Sequence, residues 1–171
     1  GIAVFMMFYG HPGKDAATYL GLADGILSGS YSYWNFLEHP MPDTLRNPGY
    51  PLFLACFRVF SDSIIYIQLT QLALYFISIK LALSVLDILY HKIEIKNLFL
   101  LFLLPGIYVV SYTPLIFPES IVTFLIIFTI WVDLKLTKNN WQKHALLGLI
   151  YGITFQIRPV ILFLPVLFVI Y

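Results

Sequence analysis

Four charged residues in an otherwise apolar chain have the chemistry of a reactive site. Asp15 opens an amphipathic segment, where a carboxylate can act as a general base toward a hydroxyl or amine. Glu119, which follows a proline, is a second acid of the same kind. Arg46 and Arg158 each stand beside a proline-containing turn, and a guanidinium held in this way can bind a phosphate through two hydrogen bonds.

Each of these residues also has a simpler structural interpretation. Asp15 is placed to cap a helix, and Glu119 in a first helical turn suits the helix dipole. Both arginines could extend toward lipid headgroups. Lys80 and Asp87 are seven residues apart on one helix face, which suits a proton or ion relay, or a Lys80 that extends toward the inner face with Asp87 near the loop.

Several classes of site are not supported by the sequence. It has no glycine-rich phosphate loop, no HExxH and no Cys/His ligand pattern, so no metal site is predicted. The single cysteine, Cys56, lies in an apolar run and is predicted to be a packing residue. Ten Lys and Arg against nine Asp and Glu give a net charge of +1, which disfavours nucleic acid as a partner.

The composition is that of a membrane protein. Of 171 residues 60% are hydrophobic and 11% charged, with a mean hydropathy of +0.84, whereas soluble domains average about 45–50% apolar and about 25% charged residues. We expect an all-α integral membrane protein with several spans. Because the chain begins and ends inside apolar stretches, we also expect it to be a fragment of a longer membrane protein.

Runs of apolar residues place the elements that must position the charged groups. A helix needs about 20 apolar residues to cross the hydrocarbon core, and the spans are predicted near residues 1–8, 64–90, 98–113, 118–134 and 145–171. A large loop, residues 9–63, should carry two interfacial helices, one between Asp15 and Ser28 and one over Pro51 to Phe60. Gly148 and Gly152 form a GxxxG pattern that predicts close helix packing.

Aromatic and basic residues predict how these spans are oriented. Tyr31, Tyr33, Trp34 and Phe36 form a cluster suited to the headgroup level. The turns at 91–97 and 135–144 contain five lysines and are expected in the cytoplasm, whereas the loop 9–63 leans acidic and is expected outside. Alternation of the spans then places residues 114–119 and 158–159 on the outer side as well.

The order of these motifs resembles a known family. The motifs are Asp15-Ala-Ala-Thr-Tyr19, Arg46-Asn-Pro-Gly-Tyr50-Pro-Leu-Phe-Leu-Ala55, Pro118-Glu119 and Arg158-Pro159. Together they resemble the GT-C integral-membrane glycosyltransferases, in the branch that includes protein O-mannosyltransferases, aminoarabinose transferases and the bacterial lipopolysaccharide-core Rgt-type enzymes. The Arg-x-Pro-Gly-Tyr-Pro-Leu-Phe-Leu-Ala block is the most specific of the motifs. The resemblance covers nearly the whole of residues 1–171 and implies that they are the N-terminal catalytic part of a larger protein of this family.

The resemblance implies an inverting transfer of a sugar from a polyprenyl-phosphate donor to a lipid, glycan or protein acceptor outside the cytoplasm. Asp15 matches the family's loop acid, the base that deprotonates the acceptor. Many relatives have a second acid directly after it, whereas this chain has Ala16. That departure is closer to the Rgt-like bacterial branch and weakens the expectation of a protein acceptor. A multi-pass protein of the bacterial plasma membrane is therefore expected.

Roles for the remaining candidate residues follow from the same resemblance. Arg46 and Arg158 would bind the lipid phosphate, and Glu119 would bind the sugar, the acceptor or a supporting divalent cation. Tyr19 and Tyr50 would line the path of the lipid or sugar. No cofactor is otherwise implied.

Two alternatives belong to other functional classes. A transporter or flippase core would gather its polar residues at the middle of the bilayer. A non-catalytic membrane subunit would use Asp15 and Glu119 only as helix caps, so that Asp15→Asn would be silent. The ionisable groups predicted at the outer interface favour the enzyme.

Overall fold

The computed structural model of the chain describes residues 14–34, 37–39, 41–103, 115–137, 141–159 and 162. In these ranges the protein is built of helices, with no strand. This confirms the all-α prediction. In chain order the helices are α1 (Lys14–Leu27), α2 (Gly49–Arg58), α3 (Ile64–Tyr90), α4 (Ile93–Leu103), α5 (Glu119–Lys135) and α6 (Trp141–Ile157).

Helix α3 is the longest element. It has 27 residues and a mean hydropathy of 2.0 in its most apolar stretch, so at about 1.5 Å per residue it exceeds the hydrocarbon thickness of a bilayer. In the part of the chain that the structure describes, it is the one helix long and apolar enough to cross a membrane. Only 6% of that stretch is buried inside the protein.

Several predicted segments have the bounds that the sequence indicated. Helix α3 covers the predicted segment 64–90, and α5 lies within one residue of the predicted 118–134. The two short helices of the loop are also present, as α1 and α2. The predicted first span at 1–8 and nearly all of the region after Pro159 lie outside the described residues.

Two turns are shorter than the sequence suggested. Helix α4 begins at Ile93 rather than near residue 98, because nothing between Ile93 and Asn97 interrupts a helix. The break after α3 is confined to His91 and Lys92, where His91 takes a left-handed conformation with a φ of 51°. Helix α6 likewise begins at Trp141, ahead of the predicted start at residue 145.

The long helices are arranged with matched ends. The Gln71 amide donates to the carbonyl of Phe117 at 2.6 Å, and Trp131 Nε1 donates to the Ser84 hydroxyl at 3.1 Å. The partners of the first bond are 46 positions apart in the sequence, and those of the second are 47 apart. Helices α3 and α5 therefore run parallel in a constant register. Helix α6 returns antiparallel, since its beginning contacts the end of α5 and its end contacts the beginning of α5.

The interior of this helical assembly is partly polar and its surface largely apolar. Five polar side chains that face inward from α3, α5 and α6 are buried: Gln68, Gln71, Ser78, Thr129 and Thr154. Many large apolar side chains on the same helices are exposed, including Leu69, Phe76, Ile77, Leu149 and Ile153. Exposed apolar area on this scale is rare on water-soluble proteins.

Helices α1 and α2 pack on each other beside the long helices. Their contact includes the buried residues Ala16, Ala23, Leu54 and Ala55. Arg58, at the end of α2, donates to the Asp24 carboxylate of α1 at 3.2 Å. The pair of short helices is therefore held together by both apolar packing and an ion pair.

Two packing predictions are wrong for the described residues. Gly148 and Gly152 are exposed and have nothing within 4 Å of an added Cβ, so this GxxxG pattern packs against no described helix. Cys56 is exposed on α2 instead of being a packing residue, because the face of α2 that meets α1 is formed by Leu54 and Ala55.

Only part of the predicted aromatic cluster lies in the described ranges. The rings of Tyr33 and Trp34 meet edge to face, with centroids 5.0 Å apart. Tyr33 also covers Gly21 of α1 so closely that an added Cβ would lie 2.5 Å from its ring. Phe36 lies outside the described residues.

Candidate functional site

A cavity of about 220 Å³ opens where four segments of the chain meet. Its walls come from the start of α1, from the loop before α2, from the start of α5 and from the end of α6. Five of the six residues proposed from the sequence line it: Asp15, Tyr19, Arg46, Glu119 and Arg158. Residues separated by more than 140 positions are thus brought together by the fold.

One wall of the cavity is formed by an acid and an arginine. Arg46 Nη2 lies 3.1 Å from Asp15 Oδ1, and the Asp15 side chain is 65% exposed. Asp15 lies in the first turn of α1, where the helix dipole favours a carboxylate. The Arg46 guanidinium also lies over the Tyr19 ring, 5.3 Å from its centroid.

The backbone at Arg46 is held by two residues of the preceding loop. The Tyr31 hydroxyl donates to the Arg46 carbonyl at 2.7 Å. Asp43 Oδ1 accepts from the backbone N–H groups of Leu45 at 2.8 Å and Arg46 at 3.1 Å. Burial, and next the negative charge of Asp43, raise the pKa of Tyr31 to about 12, so this hydroxyl remains a donor at neutral pH.

The second acid and arginine line another part of the same cavity. Pro118 precedes α5 and places Glu119 in its first turn. Arg158 directly follows α6, where its backbone N–H still donates to Thr154, and its guanidinium donates to the Glu119 carboxylate. Both side chains are about half exposed and face the same cavity.

The Arg46 loop is fastened to the end of α6. The Asn47 side chain donates to the Phe155 carbonyl at 3.0 Å. Two residues later, an added Cβ on Gly49 would lie 2.6 Å from the backbone carbonyl of Gln156, so only a glycine fits here. This contact brings Arg46 and Arg158 to neighbouring positions on the cavity wall.

Tyr50 does not line the cavity, in contrast to the expectation from the sequence. Its side chain is fully buried, and its ring meets the Tyr19 ring edge to face with centroids 4.9 Å apart. The Tyr50 hydroxyl accepts a hydrogen bond from Gln71 at 2.9 Å. Burial, as the largest cause, raises the pKa of Tyr50 well above its ordinary value. Tyr50 therefore packs behind Tyr19, which lines the cavity.

Sequence reasoning missed the residues that support the site: Tyr31, Asp43, Asn47 and Gln71. Gln71 had a usable signal, because an amide inside a long apolar helix is costly unless it has partners. Asn47 lies within the most specific motif of the chain. No sequence pattern indicated the supporting role of Tyr31 and Asp43. Both bind the backbone at Arg46, and the position of that backbone depends on the path of the loop.

The polar residues at the far ends of the helices form separate pairs. Asp87 binds Lys96 at 2.6 Å rather than taking part in a relay with Lys80, which is exposed on α3. Asp133 binds Lys143 at 2.7 Å. The described residues include no group of three His, Cys, Asp or Glu side chains that could hold a metal ion. Both cavity carboxylates are instead engaged by arginines, which is a poor donor set for a divalent cation.

The arrangement supplies bases and anion-binding groups in one place. A carboxylate can accept a proton, and a guanidinium can bind a phosphate. A phosphate that enters the cavity would compete with each carboxylate for its arginine. No protein-family model, curated protein or solved structure matches the chain.

Proposed function

We propose that the protein is a membrane glycosyltransferase that moves a sugar from a polyprenyl-phosphate donor to a hydroxyl or amine acceptor. One observation carries this proposal: the four charged residues singled out in the sequence line a single cavity. A base and a site for a leaving phosphate are what a single displacement at a sugar carbon requires.

A location inside the membrane, with several spans, is part of the proposal. Helix α3 is long enough to cross, and α5 and α6, each of 17 residues, reach the lower end of the crossing range. The polar interior and apolar surface of these helices suit a lipid environment, in which small and polar side chains mediate helix packing. We propose the bacterial plasma membrane as that environment.

The orientation of the site is argued from the two ends of the helices. The cavity lies at the start of α5, and the pairs that contain Lys96 and Lys143 lie toward the opposite end of the long helices. Lysines in short loops favour the cytoplasmic side. The cavity then faces the extracytoplasmic side, where a lipid phosphate would present its sugar.

The proposed reaction is one displacement. The Asp15 carboxylate takes the proton of the acceptor, the acceptor atom forms a bond to the anomeric carbon, and the bond from that carbon to the phosphate oxygen breaks. The electron pair leaves with the polyprenyl phosphate, whose charge Arg46 and Arg158 stabilise. Attack opposite to the leaving group inverts the anomeric carbon. When the phosphate takes over Arg46, the Asp15 carboxylate becomes available as the base.

The alternatives find less support in these residues. A transporter core should gather charged groups midway along the helices, whereas the charged side chains of α3, α5 and α6 other than Lys80 lie near the helix ends. A purely structural subunit would not need two arginines at one cavity.

The test is sugar transfer by the full-length protein in membranes, with labelled polyprenyl-phosphate sugars and extraction of the lipid fraction. Asp15→Asn should lower transfer at least about 100-fold, because it removes the base while preserving shape. The matched control is Asp62→Asn, since Asp62 also pairs with an arginine but is 92% exposed and remote from the cavity. Unchanged transfer by Asp15→Asn would contradict the assigned base, and absence of transfer from every donor would contradict the proposed function.

A further inference from the structure

Gln71 occupies an unusual position beneath the candidate site. It lies on α3, and its side chain is fully buried. One atom, Nε2, donates to the Tyr50 hydroxyl at 2.9 Å and to the Phe117 carbonyl at 2.6 Å. A single amide nitrogen therefore joins three parts of the chain: α3, α2 and the segment that leads into α5.

The chemistry of the partners settles the orientation of this amide. A backbone carbonyl can only accept a hydrogen bond, so the group that faces Phe117 must be the nitrogen. The amide oxygen is buried and has no hydrogen-bond partner in the described part of the chain. Retaining a half-satisfied amide in a buried position is costly, which favours a role that an apolar side chain could not perform.

Each partner of Gln71 supports a different wall of the cavity. The Tyr50 ring meets Tyr19 edge to face, and Tyr19 lies beneath the Arg46 guanidinium. Phe117 lies two residues before Glu119, and its carbonyl belongs to the turn that starts α5. The amide thus lies between the wall that carries the first acid–arginine pair and the wall that carries the second.

We propose that Gln71 is a positioning residue that sets the separation of the Asp15–Arg46 and Glu119–Arg158 pairs in the cavity. Its effect on the reaction rests on the proposed function, whereas its effect on the geometry does not. Leucine at this position would have nearly the same volume but would offer no donor to either partner. Both walls would then lose the bond that holds them to α3.

The geometric test is a distance measurement in the full-length protein. Spin labels are attached to Leu45→Cys and Thr123→Cys in a Cys56→Ser background, because Leu45 is exposed beside the cavity, Thr123 is exposed on α5 one turn after Glu119, and Cys56 would otherwise react. Gln71→Leu should shift or broaden the distance distribution measured by pulsed EPR. The matched control is Ser78→Ala, since buried Ser78 donates only to the Leu74 carbonyl of its own helix.

A second variant keeps the inference testable if Gln71→Leu does not accumulate. Tyr50→Phe keeps the ring and removes the acceptor of one of the two bonds, so it should produce a smaller change of the same kind. An unchanged distribution in folded Gln71→Leu, or in Tyr50→Phe where the first variant is absent, would overturn the proposal.

Measurements of sugar transfer distinguish a failure of the role assigned to Gln71 from a failure of the proposed function. If the wild type transfers sugar, Gln71→Leu should lower kcat about tenfold or more, because misplacement of reacting groups slows the chemical step. KM for the donor should change less than about threefold, since both arginines remain. A rise in KM with kcat unchanged would overturn the positioning role. Absence of transfer by the wild type would contradict the proposed function, and the distance measurement would still decide the role of Gln71.

Discussion

Each carboxylate on the cavity wall has one arginine partner, which makes the site nearly neutral without a ligand. Glu119→Gln would leave Arg158 without its carboxylate and increase the positive charge that faces the cavity. We expect a polyprenyl monophosphate to bind about two- to fivefold more tightly, the scale of an exposed ion pair worth up to ~1 kcal/mol. Titration of the purified protein in nanodiscs would measure this change.

Glu94→Gln is the control for that experiment, because Glu94 also lies in the first turn of a helix but is exposed at the start of α4. If Glu119→Gln binds the phosphate more weakly, Glu119 contributes directly to binding and does not merely compete for Arg158. Raised salt should reduce the gain, since it screens charges at an exposed site.

A second prediction at the residue scale concerns the Tyr31 hydroxyl, which holds the Arg46 loop. Its pKa is raised to about 12 in the folded protein, whereas an unfolded tyrosine has a pKa of about 10. The stabilisation is therefore complete below pH 10 and is lost as the pH rises toward 12. In thermal unfolding, the free energy of unfolding of the wild type should exceed that of Tyr31→Phe by about 0.5–1.5 kcal/mol at pH 8, and this difference should vanish between about pH 10 and 11.

Tyr66→Phe is the control for the pH series, because the Tyr66 side chain is 54% exposed on α3. A gap between wild type and Tyr31→Phe that stays constant from pH 8 to 12 would contradict the assigned hydrogen bond to the Arg46 carbonyl.

At the scale of elements, the contact between α2 and α6 brings Arg46 and Arg158 to the same cavity. Gly49→Ala would place a Cβ 2.6 Å from the Gln156 backbone, and neither helix can yield without moving its end of the cavity. We expect a loss of about 1–3 kcal/mol in unfolding free energy, the range for overpacked sites. Thermal or denaturant unfolding of the purified protein would measure it.

Gly152→Ala on α6 is the matched control, since an added Cβ there meets nothing within 4 Å. In a helix interior this change should be neutral or stabilising by about 0.5–1 kcal/mol. Equal effects of the two alanines would show that the close approach at Gly49 is not important for stability.

At the scale of the whole molecule, the proposed topology can be tested by labelling. In intact cells with Cys56→Ser, an impermeant thiol reagent should label Leu45→Cys, which is 89% exposed beside the cavity. It should not label Lys92→Cys in the turn after α3 until the membrane is permeabilised. The reverse pattern would place the cavity in the cytoplasm and contradict the proposed orientation, while labelling of both positions would contradict the separation of the two ends by a membrane.

The sequence by itself determined the helical class, the bounds of α3 and α5, and the charged residues that were candidates for a site. These features depend on local properties: long apolar runs favour helices, prolines interrupt them, and charged groups in an apolar chain stand out. The start of α4 was misjudged because Asn97 is compatible with a helix interior as well as with a cap.

Only the tertiary structure decided which charged residues meet and what holds them. The pairing of Asp15 with Arg46 and of Glu119 with Arg158 depends on how separate helices are packed, and no local pattern encodes a distance across the chain. Tyr50 could not be placed beneath the cavity without the path of α2, and the role of Gln71 follows from two partners that are 21 and 46 positions away. Helix formation is largely local, whereas the geometry of a site is set by the packing of surfaces distant in sequence.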